Sequence, residues 1–142
     1  MLIMLQANQI PAYWEKIRIA GIKSDLVEKD FEDAYCINLL YDLLSGKKTC
    51  FVHIIDNILQ FVIMISFQYD AISDRKTLMF DNLYGFYPQS DDVWKKCLMD
   101  LIAVGKKENC YNILGKSIND RIREILKTLN IDSKYSYYEY VI

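Results

Sequence analysis

The segment Pro88-Gln89-Ser90-Asp91-Asp92-Val93-Trp94 joins a predicted strand at residues 77–84 to a predicted helix, Asp91–Lys107. A strand that leads into a helix is a common phosphate site in α/β proteins, because the helix start offers unpaired N–H groups and a partial positive charge. Here the helix starts with Asp91 and Asp92, and the segment has no glycine. The two carboxylates suit the helix dipole but repel an anion. The segment therefore predicts a phosphate-type junction whose charges oppose a phosphate.

The composition indicates a single domain over residues 1–142. The chain has 142 residues, of which 52% are hydrophobic, enough for a core between two layers. The net charge of −2 gives no basic patch, so neither nucleic acid nor an anionic membrane is an expected partner. The longest apolar run, residues 58–67, is about half a bilayer span, and residues 1–6 are too short for a signal peptide. We expect a cytoplasmic protein.

The cysteines and the one histidine show no metal or nucleophile pattern. Cys36, Cys50, Cys97 and Cys110 are widely spaced, and His53 has no partner at a zinc-site spacing, so we expect no metal. Reduced, buried thiols are the expected state. Cys50 and His53 are three residues apart in a predicted strand and point to opposite faces, which argues against a Cys–His dyad.

Hydrophobic periodicity and turn residues predict ten elements along the chain. Their order is strand, helix, helix, three strands, helix, strand, helix and strand, with a polar loop at residues 68–76. This order predicts an α/β (α+β) domain with a mixed, mostly antiparallel sheet of about six strands and about four helices. The strands are predicted near residues 1–6, 49–55, 58–67, 77–84, 110–114 and 135–141, and the helices near residues 8–20, 30–45, 91–107 and 117–129.

The order and lengths of these elements resemble the GNAT superfamily of N-acetyltransferases over essentially the whole chain. Near the C-terminus that family often has Asn, then Tyr seven residues later, then Gly-Phe at eleven and twelve. Here those positions hold Asn119, Leu126, Asn130 and Ile131. The resemblance implies that Leu126 stands where many members have the tyrosine that protonates the departing coenzyme A thiolate. A leucine has no proton to donate.

The second family motif is Gln/Arg-x-x-Gly-x-Gly/Ala after the fourth strand, where backbone N–H groups bind the coenzyme pyrophosphate. Aligned on Gln89, its two small positions become Asp92 and Trp94. One adds a negative charge, and the other adds bulk where the backbone must approach the ligand closely. The resemblance makes Gln89, Asp92, Val93, Trp94 and Asn119 the candidate cofactor-binding residues, in a site that we interpret as degenerate.

Two residues of the fourth predicted strand are candidate catalytic groups. In GNAT enzymes a carboxylate on a central strand can act as general base, and Asp81 lies on that strand. Asp-Asn beside a turn is also ordinary strand-end chemistry. Tyr84 is the candidate for proton transfer, with water as the alternative.

Four tyrosines near the C-terminus predict a partner surface. Tyr135 and Tyr137 share one face of the predicted strand, and Tyr138 and Tyr140 share the other. One pair can pack on the core, whereas the other must meet a helix of the same chain, a partner or water. Tyrosine is favoured at interfaces, so a protein partner or a homo-oligomer is expected.

These observations favour a non-catalytic GNAT-like domain that acts as a structural or interaction subunit and needs no cofactor. Such catalytically degenerate GNAT-like proteins look similar to ones encoded by bacteriophages, some of them carried in the virion, and the composition, rich in Ile, Lys, Asn and Tyr, suits an AT-rich genome. This resemblance implies a host cytoplasm or a virion as the location. The alternative is an N-acyltransferase that uses acetyl-CoA through a divergent cofactor loop. A third reading is a small-molecule sensor that uses the cleft between splayed strands.

Overall fold

The computed structural model describes residues 2–115 and 120–129. These residues form five strands and four α-helices, with a short 3₁₀ turn before each of the first two α-helices. In chain order the elements are β1 (Ile3–Met4), α1 (Ile10–Ser24), α2 (Glu32–Ser45), β2 (Lys48–Ile55), β3 (Ile58–Asp70), β4 (Arg75–Gly85), α3 (Asp91–Lys107), β5 (Asn112–Gly115) and α4 (Asp120–Thr128).

The five strands form one mixed sheet in the order β1-β2-β3-β4-β5. All neighbours are antiparallel except β4 and β5, which are parallel. The predicted fold class is therefore confirmed, with five strands in the described residues against about six predicted. The sixth predicted strand, at residues 135–141, lies outside the described residues.

Helices cover both faces of the sheet, and β3 is buried between them. Val62 and Met64 face a core cluster that contains residues of α1 and α2, whereas Ile63 and Ile65 face a second cluster that contains residues of α3 and α4. All four side chains are fully buried. A strand that is buried on both faces does not alternate polar and apolar residues, which explains the unbroken apolar run in the sequence of β3.

The loop predicted at residues 68–76 is wrong, because the β3–β4 hairpin continues through most of it. β3 runs to Asp70, β4 begins at Arg75, and these two residues are paired. The Asp70 carboxylate closes the turn by accepting hydrogen bonds from the Ile72 N–H at 3.0 Å and the Ser73 hydroxyl at 2.7 Å. This ribbon is largely exposed, so hydrophobic periodicity gives no sign of it.

Local residue chemistry explains where the helices begin and end. Pro11 lies in the first turn of α1, where its missing N–H costs little. α2 ends at Gly46, whose φ of 81° favours glycine. Ser90 caps α3 by accepting a hydrogen bond from the Val93 N–H. In the part of the chain that the structure describes, no helix is long and apolar enough to cross a membrane.

Candidate active site

A β-bulge at Asp81 interrupts β4 where its pairing with β5 ends in the described residues. Met64 of β3 is opposite Asn82 and Ile65 is opposite Phe80, so Asp81 is the extra residue. The parallel β4–β5 pairing runs from Thr77 to Phe80, whereas β4 continues to Gly85. A bulge leaves its extra residue outside the ladder and bends the strand, and bulges are frequent beside active sites.

The Asp81 carboxylate is held beside one cation. Its Oδ2 lies 3.6 Å from the Lys48 Nζ, and the two side chains are 19% and 22% exposed. This distance allows an ion pair but exceeds a hydrogen bond, and Oδ2 is buried without a hydrogen-bond partner. Asp81 is therefore a mostly buried carboxylate with an unused acceptor atom.

Asn82 adds a second unused acceptor beside the bulge. Its side chain is 2% exposed, and its Nδ2 donates to the Ser24 hydroxyl at 2.8 Å. Its Oδ1 is buried and has no hydrogen-bond partner. A buried oxygen without a partner costs roughly 1–3 kcal/mol, which a bound donor would recover. Together Asp81 and Asn82 form an acceptor-rich site at the bulge.

A tyrosine–carboxylate pair lies next to Asn82, where α1 and α2 meet. The Tyr35 hydroxyl donates to Asp25 Oδ2 at 2.5 Å. Burial, then the hydrogen bond to Asp25, raises the pKa of Tyr35 far above its usual range. The hydroxyl is therefore a permanent donor that fixes Asp25 at the end of α1.

Tyr84 lies three residues beyond Asp81 on β4, which places the two candidates about 10 Å apart along the strand. Its ring meets the Phe86 ring edge-on at 5.0 Å, and both rings pack against the core cluster on the α1 and α2 side. The structure thus brings Asp81 and Asn82 together and places Tyr84 in a separate position on the same strand.

Two side chains at the start of α3 pack into the core or brace the turn that precedes the helix. The Trp94 side chain is only 7% exposed and packs in the core, with its ring 4.6 Å from that of Phe61. Its bulk is thus accommodated by the core. The Gln89 amide, also buried, donates to Gln60 Oε1 at 3.1 Å and to the Tyr87 carbonyl at 3.2 Å, so it braces the turn before the helix.

The remaining cofactor-binding candidates have different surroundings. Asp92 is exposed in the first turn of α3. The Val93 N–H already donates to the Ser90 hydroxyl at 3.3 Å, so a ligand would have to compete for that donor. Leu126 is half-buried against the core cluster on the α3 side. Asn119 and the four C-terminal tyrosines lie outside the described residues.

The two buried thiols, Cys50 and Cys97, are not activated nucleophiles. Burial raises the pKa of Cys50 to about 12, and burial together with Asp100 raises the pKa of Cys97 to about 12, so both remain protonated at neutral pH. His53 stacks on Phe61 on the α3 side of the sheet, opposite Cys50. His53 and Cys97 line a cavity of about 200 Å³, but the Cys97 thiol remains protonated at neutral pH.

Sequence reasoning missed Lys48 and Asn82. Lys47-Lys48 has the pattern of a solvated loop, yet Lys48 begins β2 and its side chain reaches Asp81 of β4 across the intervening strand β3. One feature of the sequence could have pointed to Asn82. Asp81 and Asn82 are consecutive polar residues inside an apolar strand, and consecutive strand residues share a face only where a bulge interrupts the strand.

Several acetyltransferases of solved structure have the same fold, at low sequence identity. A probable acetyltransferase is 7% identical with a TM-score of 0.74, over 100% of this chain and 96% of that one. A predicted acetyltransferase from Clostridium acetobutylicum, solved with acetyl-CoA, is 13% identical with a TM-score of 0.75, over 99% and 95% of the two chains. An aminoglycoside N-acetyltransferase in complex with CoA is 11% identical with a TM-score of 0.73, over 100% and 93%.

No protein-family model matches the sequence, and no curated protein matches it. The structural likeness establishes that the chain has the fold of the GNAT acetyltransferases. The comparisons correct the hypothesis of a non-catalytic structural or interaction subunit, since its structural neighbours are acetyltransferases. They also oppose the expectation of no cofactor, because two of these neighbours contain acetyl-CoA or CoA.

Proposed function

We propose that the protein is an N-acyltransferase that uses acetyl-CoA and modifies a primary amine. The bulge at Asp81 is the observation that carries this proposal. It joins a mostly buried carboxylate, a buried amide oxygen without a partner and a strand that continues past its described pairing with β5. The acetyltransferases of the same fold that are solved with acetyl-CoA or CoA support it.

The described residues fit the pantetheine arm of acetyl-CoA better than they fit its pyrophosphate. Beyond Phe80, β4 offers backbone N–H and C=O groups, which suit the two amides of an extended pantetheine arm. The start of α3 would receive the pyrophosphate, and the Trp94 side chain there packs in the core. Asp91 and Asp92 still oppose the phosphate charge, so we expect weaker binding than a glycine-rich loop would give.

The oxygens at the bulge indicate which kind of substrate would accept the acetyl group. Acetyl-CoA would supply an acyl thioester, which an amine attacks while the thiol leaves. An alkylammonium carries three donors, and Asp81 Oδ2 and Asn82 Oδ1 are two acceptors without hydrogen-bond partners. Asp81 would take the proton that converts the ammonium into a nucleophilic amine, and Lys48 would stabilise the carboxylate before that step. Tyr84 or water would return a proton to the thiolate.

Calorimetric titration with acetyl-CoA, followed by an assay for released CoA thiol with a panel of primary amines, tests the proposal. We expect binding at millimolar concentration or tighter, and amine-dependent thiol release. Asp81→Asn should lower the rate at least about tenfold, the scale of general-base catalysis, while the acetyl-CoA Kd changes less than about twofold.

Asp56→Asn is the matched control, because it removes a carboxylate from an exposed turn between β2 and β3 and asparagine tolerates its φ of 51°. Its rate should equal that of the wild type. Failure to bind acetyl-CoA at millimolar concentration would refute the cofactor assignment. An Asp81→Asn variant with full activity would refute the role of Asp81 alone.

A further inference from the structure

The outer face of α2 carries an apolar stripe that the described residues leave uncovered. Ile37, Tyr41 and Leu44 follow each other at spacings of four and three residues, so they share one face of the helix. Their side chains are 69%, 62% and 47% exposed. The opposite face of α2 supplies Leu39 and Leu43 to the core. We call Ile37, Tyr41 and Leu44 the α2 stripe.

Charges of opposite sign lie at the two ends of the α2 stripe. Asp30 and Asp33 are exposed at the N-terminal end, and Asp33 is on the same helix face as Ile37. Lys47 is exposed just after the C-terminal end, with its Nζ 5.3 Å from the centre of the Tyr41 ring. The stripe is therefore acidic at one end, apolar in the middle and basic at the other end.

We propose that the α2 stripe binds the α2 stripe of a second copy of this chain in an antiparallel, two-fold symmetric dimer. A two-fold interface must be complementary to itself, and a helix with an acidic and a basic end meets that requirement only when its partner runs the opposite way. This pairing also sets the two helix dipoles antiparallel. The inference is independent of the proposed acyl transfer.

The spacing along α2 fits this register. With Ile37 opposite Tyr41 of the partner subunit, the two-fold axis passes near position 39. Asp33 then lies opposite position 45, about 3 Å along the axis from the level of Lys47 of the partner subunit, within reach of a lysine side chain. Each dimer would contain this ion pair twice, together with two Ile37–Tyr41 contacts.

The number of exposed side chains favours a dimer of moderate affinity. The stripe has three exposed apolar side chains, surrounded by the exposed neighbours Asp33, Ala34, Asn38 and Lys47, whereas a standard interface has about 20–30 residues per partner. The chain has a net charge of −2 and only one end of the stripe is basic, which gives a nucleic acid or an anionic membrane little to bind. We expect a micromolar dimer that salt weakens.

Sedimentation velocity across the micromolar range tests the dimer. Ile37→Glu should raise the dimer Kd at least about a hundredfold, because it puts a charge at the centre of the interface. Ile72→Glu is the matched control, since Ile72 is 99% exposed in the β3–β4 turn and should leave the Kd unchanged. Both variants should keep the wild-type far-UV circular dichroism spectrum.

A charge exchange tests the antiparallel register. Asp33→Lys and Lys47→Glu should each weaken the dimer several-fold, since each sets like charges opposite one another, and the double variant should recover most of the wild-type affinity. A chain that stays monomeric at all concentrations would overturn the proposal. This holds also if the reason is that the C-terminal residues of the same chain cover the stripe. A dimer indifferent to Ile37→Glu, or a double variant without recovery, would overturn it as well.

Discussion

Gly21 is needed in α1 because of its neighbours rather than its backbone angle. A Cβ at this position would lie 2.8 Å from the Tyr35 hydroxyl oxygen and 2.9 Å from Leu39 Cδ2. The hydroxyl cannot move freely, because it is hydrogen-bonded to Asp25, and Leu39 is buried. The missing side chain thus lets α1 and α2 approach closely enough to build the polar pair beside Asn82.

We therefore predict that Gly21→Ala destabilises the protein. Alanine normally stabilises a helix interior by roughly 0.5–1 kcal/mol relative to glycine. Here overpacking and the displaced Tyr35–Asp25 hydrogen bond should outweigh that gain, leaving a net loss of about 1–2 kcal/mol in the free energy of unfolding. Urea denaturation followed by circular dichroism measures it.

Gly105→Ala in α3 is the control for this argument. The nearest atom to its added Cβ would be Leu78 Cδ1 at 3.6 Å, an ordinary contact. Its free energy of unfolding should rise by roughly 0.5–1 kcal/mol, opposite in sign to Gly21→Ala. Equal and positive effects at both positions would show that the approach of α1 and α2 is looser than the structure describes.

At the scale of the element, the first turn of α3 serves two opposed demands. Asp91 and Asp92 stabilise the helix through its dipole, and the same charges oppose the phosphates that this helix start would bind. Stability and cofactor affinity should therefore respond in opposite directions when a charge is removed.

Asp92→Asn should tighten acetyl-CoA binding about two- to fivefold, since one repulsive charge beside the helix start is worth roughly 0.3–1 kcal/mol. The free energy of unfolding should fall by a similar amount, because the dipole loses a favourable charge. Calorimetric titration and urea denaturation of the same preparation give both values.

Glu32→Gln separates the two effects. Glu32 lies in the first turn of α2, as Asp92 lies in the first turn of α3, and it is not on the helix face that carries the α2 stripe. This variant should lose a similar amount of stability and leave the acetyl-CoA Kd unchanged. If both variants bind acetyl-CoA as the wild type does, the cofactor does not approach the start of α3.

The elements were predictable to different degrees, for physical reasons. α3 was predicted with its observed bounds because Ser90, the acidic first turn and the basic last turn are all local signals.

The site was only partly predictable. Asp81 was a candidate from the sequence, but its contact with Lys48 joins residues 33 positions apart, and a bulge adds one residue without changing composition. The motif comparison gave no information on where the Trp94 side chain packs, because that depends on a core contact with Phe61.

At the scale of the whole molecule, one buried thiol lies in each half of the core. Cys50 packs in the cluster on the α1 and α2 side, and Cys97 in the cluster on the α3 side. They are 1% and 4% exposed, and the pKa of each is raised from 9.0 to about 12. Folding therefore keeps both thiols protonated at a pH where the unfolded chain ionises them.

We predict that the protein loses stability in mild alkali. A pKa raised by folding contributes stability that is complete below the unfolded value and is lost as the pH rises toward the folded value, here from 9.0 to about 12. The slope approaches about 1.4 kcal/mol per pH unit for each thiol. The free energy of unfolding, measured with urea under reducing conditions, should fall by about 2–3 kcal/mol between about pH 8 and pH 10.

The double variant Cys50→Ala and Cys97→Ala isolates the thiols in this prediction. Its absolute stability should be lower because two core side chains are shortened, so the comparison rests on the slope with pH. That slope should become much shallower up to about pH 10, where Cys110, whose pKa burial also raises, still contributes. Above about pH 10, Tyr35, whose pKa burial and Asp25 raise, adds its own alkaline loss. A wild-type slope that persists in the double variant would mean that groups other than the two core thiols ionise on unfolding.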